Sequence, residues 1–163
     1  MSVSHTPEKA KVNKGAVTKQ LKPGQHIDLG AIDGYKHLYV RVDSVDARPT
    51  CTGTLPDPTY GRYAAVTITM QGIRSKGKPA TSPLLIGNWT STQKSGDQFQ
   101  ADWSQTMTCL DSDSMLPTTL GSGDIAHGTL VFDVPDDTTK LTEQFTYAKP
   151  ATNIEMVVPA LKK

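Results

Sequence analysis

Two cysteines are the residues best able to form a covalent link in this 163-residue chain. Cys51 and Cys109 each lie beside a threonine, neither belongs to a Cys-x-x-Cys pair, and no histidine lies close to them in sequence. A disulfide between them would close a loop of about 59 residues, whereas two free thiols would suit a cytosolic protein. We expect the disulfide, and with it an oxidising compartment.

Nucleophilic catalysis would need a serine or cysteine with a histidine and a carboxylate in reach. Ser122 stands between two glycines, with Asp124 and His127 shortly after it. The segment lacks the Gly-x-Ser-x-Gly frame of a nucleophile elbow, and no helix is predicted to follow it. We interpret it as a glycine-rich loop that leads into a strand, and we expect no catalytic residues and no enzyme activity. A small hydrolase that uses His127 or the acidic loops is the enzymatic alternative.

Metal ligation has little support in the sequence. The acidic stretches 111–114 and 133–137 do not match the calcium-binding loop of an EF-hand. None of the four histidines forms a close-spaced pair with another; they are His5, His26, His37 and His127. We therefore expect solvated acidic turns, no bound metal and no cofactor.

A binding surface is the best functional candidate, and we place it on residues 49–63, between two strongly alternating segments. This stretch holds three prolines, two tyrosines, an arginine and one of the two cysteines. Tyrosine and arginine are favoured at interface hot spots, and a loop pinned by a disulfide loses less entropy on binding. The alternative is that the cysteine and prolines merely stiffen an ordinary loop. The predicted binding residues are Leu55, Tyr60, Arg62 and Tyr63.

Charge is unevenly distributed along the chain. The whole sequence has 17 basic and 16 acidic residues, but residues 1–22 contain five lysines and a single glutamate, and the remainder is net acidic. We expect residues 1–22 to form a basic, flexible arm and residues 23–161 to form the folded domain. The arm would be a solvated tether or would attract a polyanion such as teichoic acid or an anionic membrane surface. The acidic body argues against a nucleic-acid partner.

Residues 1–22 also bear on the location of the protein, because they lack the apolar segment of a signal peptide. Either the protein is cytosolic or part of a virion, or a secretory or lipoprotein leader is absent from this chain. No stretch approaches the about eighteen apolar residues of a transmembrane helix. We expect an extracellular or envelope-tethered protein that is a monomer, or a weak homodimer paired through sheet edges.

The elements that must position these residues are strands. Threonine, which suits half-buried strands, occurs 21 times, and eleven prolines and thirteen glycines mark the turns. This pattern predicts an all-β, immunoglobulin-like antiparallel sandwich of about seven to nine strands. A bulge or a strand end is expected near Asp43, and an irregular stretch, with a short helical turn, over residues 107–123. Period-two alternation predicts the main strands at 38–42, 63–70, 130–134, 141–147 and 154–158, and shorter ones at 25–29, 83–92 and 98–104.

The segment Gly128–Pro135, GTLVFDVP, resembles the penultimate strand of an immunoglobulin-like family of secreted bacterial proteins, many of them lipoproteins, whose function is unknown. In that family a polar turn and a final apolar strand follow, here residues 136–140 and 141–148. The resemblance implies a telokin-like sandwich in the envelope or exterior of a Gram-positive or mycobacterial-type bacterium. It brings no catalytic or cofactor residues.

Taken together, these patterns favour a non-catalytic module that binds a protein or an envelope component. A rival hypothesis is an immunoglobulin-like decoration or tail protein of a phage particle, which would explain the missing leader and the threonine-rich strands. A fold alone does not separate the two, because function lies in sites.

Overall fold

The computed structural model describes residues 7–32, 34–76, 88–117, 125–146 and 148–160. These residues form nine strands and one short helix. In chain order the elements are β1 (Val17–Gln20), β2 (His26–Asp28), β3 (Tyr35–Asp46), β4 (Gly61–Arg74), β5 (Asn88–Gln93), β6 (Gln98–Gln100), α1 (Thr106–Cys109), β7 (Ile125–Pro135), β8 (Thr138–Phe145) and β9 (Thr152–Val157).

Two sheets form a sandwich, which confirms the predicted fold class. One sheet has five strands in the order β1-β9-β8-β5-β6, and the other has four in the order β2-β3-β4-β7. All strand pairs are antiparallel except β1 and β9, which run parallel. Across the described segments, no helix has the length and apolar character to cross a membrane.

The core lies between the two sheets, where the predicted alternation places it. Side chains on every second residue of the long strands have almost no exposed surface, as expected for the inner face of a sandwich. They include Leu38, Val40 and Val42 of β3, Ala64, Val66, Ile68 and Met70 of β4, Leu130, Phe132 and Val134 of β7, and Ile154 and Met156 of β9.

The bulge predicted near Asp43 is present. The register between β3 and β4 shifts between Val42 and Ser44, which reverses the inward and outward parity of the strand. Val42 and Val45 are consequently both buried, although an unbroken strand would point them to opposite faces.

The outer face of β4 and β7 departs from simple alternation. Ala65 and Val131 point away from the main core, yet both are buried in a small second cluster with Cys109. Gly128, which shares the inward parity of Leu130, permits a close approach at the edge of β7, since a Cβ there would collide with backbone atoms of Leu116. The chain between β6 and β7 thus covers part of this sheet.

The expected flexible arm and its boundary are corrected by the structure. Residues 7–16, which we call the strap, cross the outer face of the five-stranded sheet, and β1 then pairs with β9. The backbone of the strap exchanges hydrogen bonds with Gln98 and Gln100 of β6, and Asn13 bonds the side chains of Gln144 and Asn153. The sandwich therefore begins well before residue 23, because backbone hydrogen bonds hold a segment that has few apolar side chains.

Several predicted elements are shorter than expected or reach beyond the described residues. β5 begins at Asn88, so residues 83–87 of the predicted strand lie outside the described residues, as do Tyr147, Ser122 and Asp124. The strand predicted at 98–104 ends at Gln100, and the helical turn expected within 107–123 begins at Thr106.

Candidate functional site

The predicted disulfide is present and joins two segments on the outer face of β4 and β7. Cys51 and Cys109 are bonded with their Cα atoms 4.7 Å apart. The backbone N–H groups of Thr52 and Gly53 both donate to the carbonyl oxygen of Cys109 at 3.0 Å. We call residues 49–60, together with α1 and Leu110, the disulfide lobe. Leu55 and Leu110 pack with the disulfide against Ala65 and Val131.

Asp133 fastens the far end of this loop. Its carboxylate, 2% exposed, accepts hydrogen bonds from the backbone N–H groups of Thr59 at 2.7 Å and Tyr60 at 3.1 Å. Burial raises the pKa of Asp133, and the neighbouring charge of Asp102 acts in the same direction. The two backbone hydrogen bonds oppose this shift without cancelling it.

Replacing Asp133 by alanine should loosen residues 56–60 while leaving the sandwich folded. The lost charge-assisted hydrogen bonds are partly offset by relief of a buried charge, so we expect a loss of about 1 kcal/mol in the free energy of unfolding. Urea denaturation would measure it, and hydrogen exchange at Thr59 and Tyr60 should become faster. Asp57→Ala, an exposed change in the same loop, is the control. Unchanged exchange at both amides would contradict the anchoring role.

Arg62 does not belong to the predicted binding surface. It lies in β4, is 5% exposed, and its Nη2 donates to the carbonyl oxygens of Thr138 and Pro159 at 3.2 Å. Burial lowers the pKa of its guanidinium, and the charge of Asp136 opposes that shift. Its parity with Ala64 places it on the inner face, so Arg62 joins β4 to the start of β8 and to the C-terminal segment.

The other three predicted binding residues make contacts with the disulfide lobe or with its anchor, Asp133. Leu55 packs into the cluster behind the disulfide, and the Tyr63 hydroxyl donates to the carbonyl oxygen of Pro56 at 3.0 Å. Tyr60 is half-buried next to Asp133. The lobe is thus a rigid support, and its role in binding stays a prediction.

A second constellation occupies the part of the four-stranded sheet that the lobe leaves uncovered. Strand register places His26 opposite Arg41, Arg41 opposite Thr69, and Thr69 opposite His127. His26 and His127 therefore share one outer surface, and His37 joins them because it has the same outward parity as Tyr39 and Arg41. We call this surface the histidine face; it comprises His26, Asp28, His37, Tyr39, Arg41, Asp43, Thr69 and His127.

Asp43, at the bulge, organises one half of the histidine face. Its carboxylate accepts hydrogen bonds from Arg41 Nε and Thr69 Oγ1, both at 2.6 Å. Partial burial acts to raise the pKa of Asp43, but these hydrogen bonds, with the charges of Arg41 and His127, outweigh it and hold the pKa below its usual value. The carboxylate is therefore well satisfied by groups of the face itself.

His127 is oriented by the same cluster. Its Nδ1 lies 2.7 Å from Thr69 Oγ1 and 3.2 Å from Asp43 Oδ2. Because Thr69 gives its only hydroxyl proton to Asp43, the Nδ1 of His127 must be the donor in its own bond to Thr69. A catalytic triad needs the carboxylate on one ring nitrogen and the nucleophile on the other. Here both share Nδ1, so the arrangement orients the ring and does not activate Thr69.

Aromatic rings form the other half of the face. His37 stacks on Tyr39, with ring centroids 5.7 Å apart, and its Nδ1 lies 2.7 Å from Asp28 Oδ2. His26 meets Tyr39 edge-on at 6.4 Å. A shallow pocket of 210 Å³ lies beside these rings and is lined by His26, Tyr39, Arg41, Thr69 and Gln71. Nowhere in the described segments do three or more His, Cys, Asp or Glu side chains gather in a way that could hold a metal ion.

Sequence reasoning missed the histidine face because its members lie on four strands. The alternation of 38–42 and 63–70 already points Tyr39, Arg41 and Thr69 away from the core. The histidines of β2 and β7 join them only through a pairing register that the sequence does not specify. The outward parity of Tyr39 and Arg41 was the one signal that could have found the face.

Comparisons with known proteins show similarity of fold. No protein-family model and no curated protein sequence matches the chain significantly. A solved structure that does match is the secreted protein MPT63 of Mycobacterium tuberculosis, with a TM-score of 0.56 and 17% sequence identity over 89% of this chain and 99% of that one. At this identity the match shows a shared β-sandwich.

Proposed function

We propose that this protein is a secreted, non-catalytic module that uses the histidine face to bind an acidic surface on a partner protein. One observation carries the proposal: an uncovered face on which Tyr39 stands between two histidines and beside Arg41, held in place by hydrogen bonds within the face. Preorganised aromatic and arginine side chains are the usual centres of binding energy at protein interfaces.

The exposed hydrogen-bond donors of the face support an acidic partner. The two carboxylates of the face are already engaged, Asp28 by His37 and Asp43 by Arg41 and Thr69. The Arg41 side chain remains 52% exposed and that of His127 61%. A partner that supplies carboxylates would accept hydrogen bonds from the exposed N–H groups of Arg41, the one arginine or lysine of the histidine face.

The disulfide supports a location outside the cytosol, because such bonds persist in oxidising compartments. The match to a protein described as secreted is compatible with this location. Tethering to the envelope, through a lipid or otherwise, and the oligomeric state stay predictions.

A selection from a random peptide library tests the proposal and does not require the natural partner. The wild-type protein would be immobilised, and the library depleted first on the double variant Tyr39→Ala/Arg41→Ala. We expect enriched peptides rich in Asp and Glu that bind the double variant at least about tenfold more weakly than wild type.

Tyr60→Ala in the disulfide lobe is the matched control, since it removes an aromatic ring from the rival surface predicted from the sequence. Peptides that lose affinity for Tyr60→Ala but not for the double variant would move the binding site to the lobe. Enriched peptides without acidic residues would contradict the proposed partner chemistry. Circular dichroism and thermal unfolding would establish that all variants are folded.

A further inference from the structure

A pocket of 480 Å³ lies on the opposite sheet, where the strap leaves the edge of β6. The strap bounds it on one side through Ala10 and Lys11, and Trp103 lines another side. Side chains from the outer faces of three adjacent strands complete the lining. These are Asn88 and Thr90 of β5, Gln100 of β6 and Gln144 of β8.

Trp103 gives the pocket a fixed aromatic wall. The residue is half-buried, packs against the main core and also lines the pocket. An immobilised indole loses little conformational freedom when it contacts a ligand, and its apolar ring suits a ligand with a C–H face.

The facing wall is built from amides and a hydroxyl. In register, Asn88 lies opposite Gln144 and Thr90 lies opposite Gln100, so their side chains are neighbours on one surface. Each primary amide offers a carbonyl acceptor and two N–H donors. A polyol can satisfy such groups because every hydroxyl both donates and accepts.

Gln144 is already oriented for this role. Its Oε1 accepts from the backbone N–H of Asn13 at 3.2 Å, and its Nε2 donates to Thr90 Oγ1 at 3.2 Å. Among the described residues, one N–H of Gln144 and the hydroxyl proton of Thr90 have no acceptor. The strap therefore fixes a sheet side chain whose remaining donor is open to a ligand.

Charge narrows the class of ligand. Lys11 is the one charged residue among the described residues that line the pocket. A single lysine is far from the array of donors that holds a nucleotide's phosphates. An aromatic residue beside amides and a hydroxyl suits a ring that is apolar on its faces and hydroxylated at its edge.

We propose that the strap pocket binds a pyranose unit of a saccharide, with the ring against Trp103 and its hydroxyl groups on Asn88, Gln100 and Gln144. The site is independent of the histidine face, because it lies on the other sheet and shares no residue with it.

A glycan array of defined saccharides, followed by titration calorimetry with the best-bound soluble sugar, tests the proposal. We expect binding to weaken about tenfold or more in Trp103→Ala and in Asn88→Ala/Gln100→Ala. The second variant changes two exposed residues, so it tests the site even if loss of Trp103 perturbs folding. Lys14→Ala, an exposed strap residue outside the pocket lining, should bind as wild type.

Two results would overturn the saccharide site: no array sugar bound at about 10 mM, well beyond the usual range of functional affinities, or binding that Asn88→Ala/Gln100→Ala leaves unchanged. The Tyr39→Ala/Arg41→Ala protein should bind the sugar normally. If that protein loses peptide binding but keeps sugar binding, the two sites are independent, and failure of one proposal leaves the other standing.

Discussion

Replacement of both Cys51 and Cys109 by alanine should lower the free energy of unfolding by about 4 kcal/mol, because the bond closes a long loop in the unfolded chain. The two cysteines are separated by 58 positions. Alanine is the appropriate replacement, since Cys109 is fully buried in the apolar cluster and serine would bury an extra hydroxyl there. Urea denaturation of the oxidised wild type and the double variant would measure the difference.

Reduced wild-type protein is the control for this comparison. It should match the double variant in stability and should also show faster hydrogen exchange at Thr52 and Gly53, whose N–H groups bond to Cys109. A difference of less than about 1 kcal/mol between oxidised and reduced protein would contradict the chain-entropy argument. The lobe would then be held mainly by Asp133 and by its apolar contacts.

Replacement of Glu143 by leucine should stabilise the protein at neutral pH by about 2 kcal/mol, the scale of an unsatisfied buried polar group. Glu143 lies on the inner face of β8 between Leu141 and Phe145 and has no exposed surface. Neither carboxylate oxygen has a hydrogen-bond partner among the described residues, and the same holds for Nε1 of Trp89, its neighbour in register.

The pH dependence of this effect has a definite sign. Burial raises the pKa of Glu143 well above its usual 4.5, so the folded chain keeps the proton at pH values where the unfolded chain has released it. Below the unfolded pKa both states hold the proton, so ionisation of Glu143 costs no stability there. As pH rises from about 4.5 through the raised folded pKa, the unfolded state is progressively favoured and stability is lost.

Glu143→Gln separates the titration from the burial of a polar group, because the amide has similar size but does not ionise. Its stability should fall less above about pH 4.5 than that of the wild type, because the contribution of Glu143 is gone while that of Asp133 remains. Glu155→Gln, on the outer face of β9 and paired with Lys140 at 3.0 Å, is the matched control and should keep that fall. A Glu143→Gln protein whose stability changes with pH as the wild type does would contradict a buried, titrating Glu143.

The sequence is most informative where the alternation of side chains along a strand determines which residues are buried. Alternation placed the core of β3, β4, β7 and β9, and the reversed parity of Val45 located the bulge at Asp43. The same rule already pointed Arg62 inward with Ala64, but its proximity to a proline-rich loop suggested a surface role. Parity likewise placed Glu143 between two core residues, which puts an ionisable side chain at an inward-facing position. That its carboxylate lacks a partner is seen only in the folded structure.

Features held by backbone or by strand register were not predictable in this way. The strap has few apolar side chains, so its composition is typical of a tether. Its backbone nevertheless exchanges hydrogen bonds with β6 and accepts one from the Asn153 side chain of β9. The histidine face and the strap pocket depend on the alignment of strands that are distant in sequence. Composition and periodicity carry no information about that alignment.

The parallel pairing of β1 with β9 should make the molecule resist a pulling force that acts along these two strands. Four residue pairs, from Val17 with Thr152 to Gln20 with Glu155, join the first strand to the last. A force that pulls the start of β1 away from the end of β9 would shear the two strands past each other. The backbone hydrogen bonds between them would then bear the force simultaneously, rather than break one after another. A protein held at one terminus and pulled at the other would therefore meet its resistance at this pair, after the strap has peeled away.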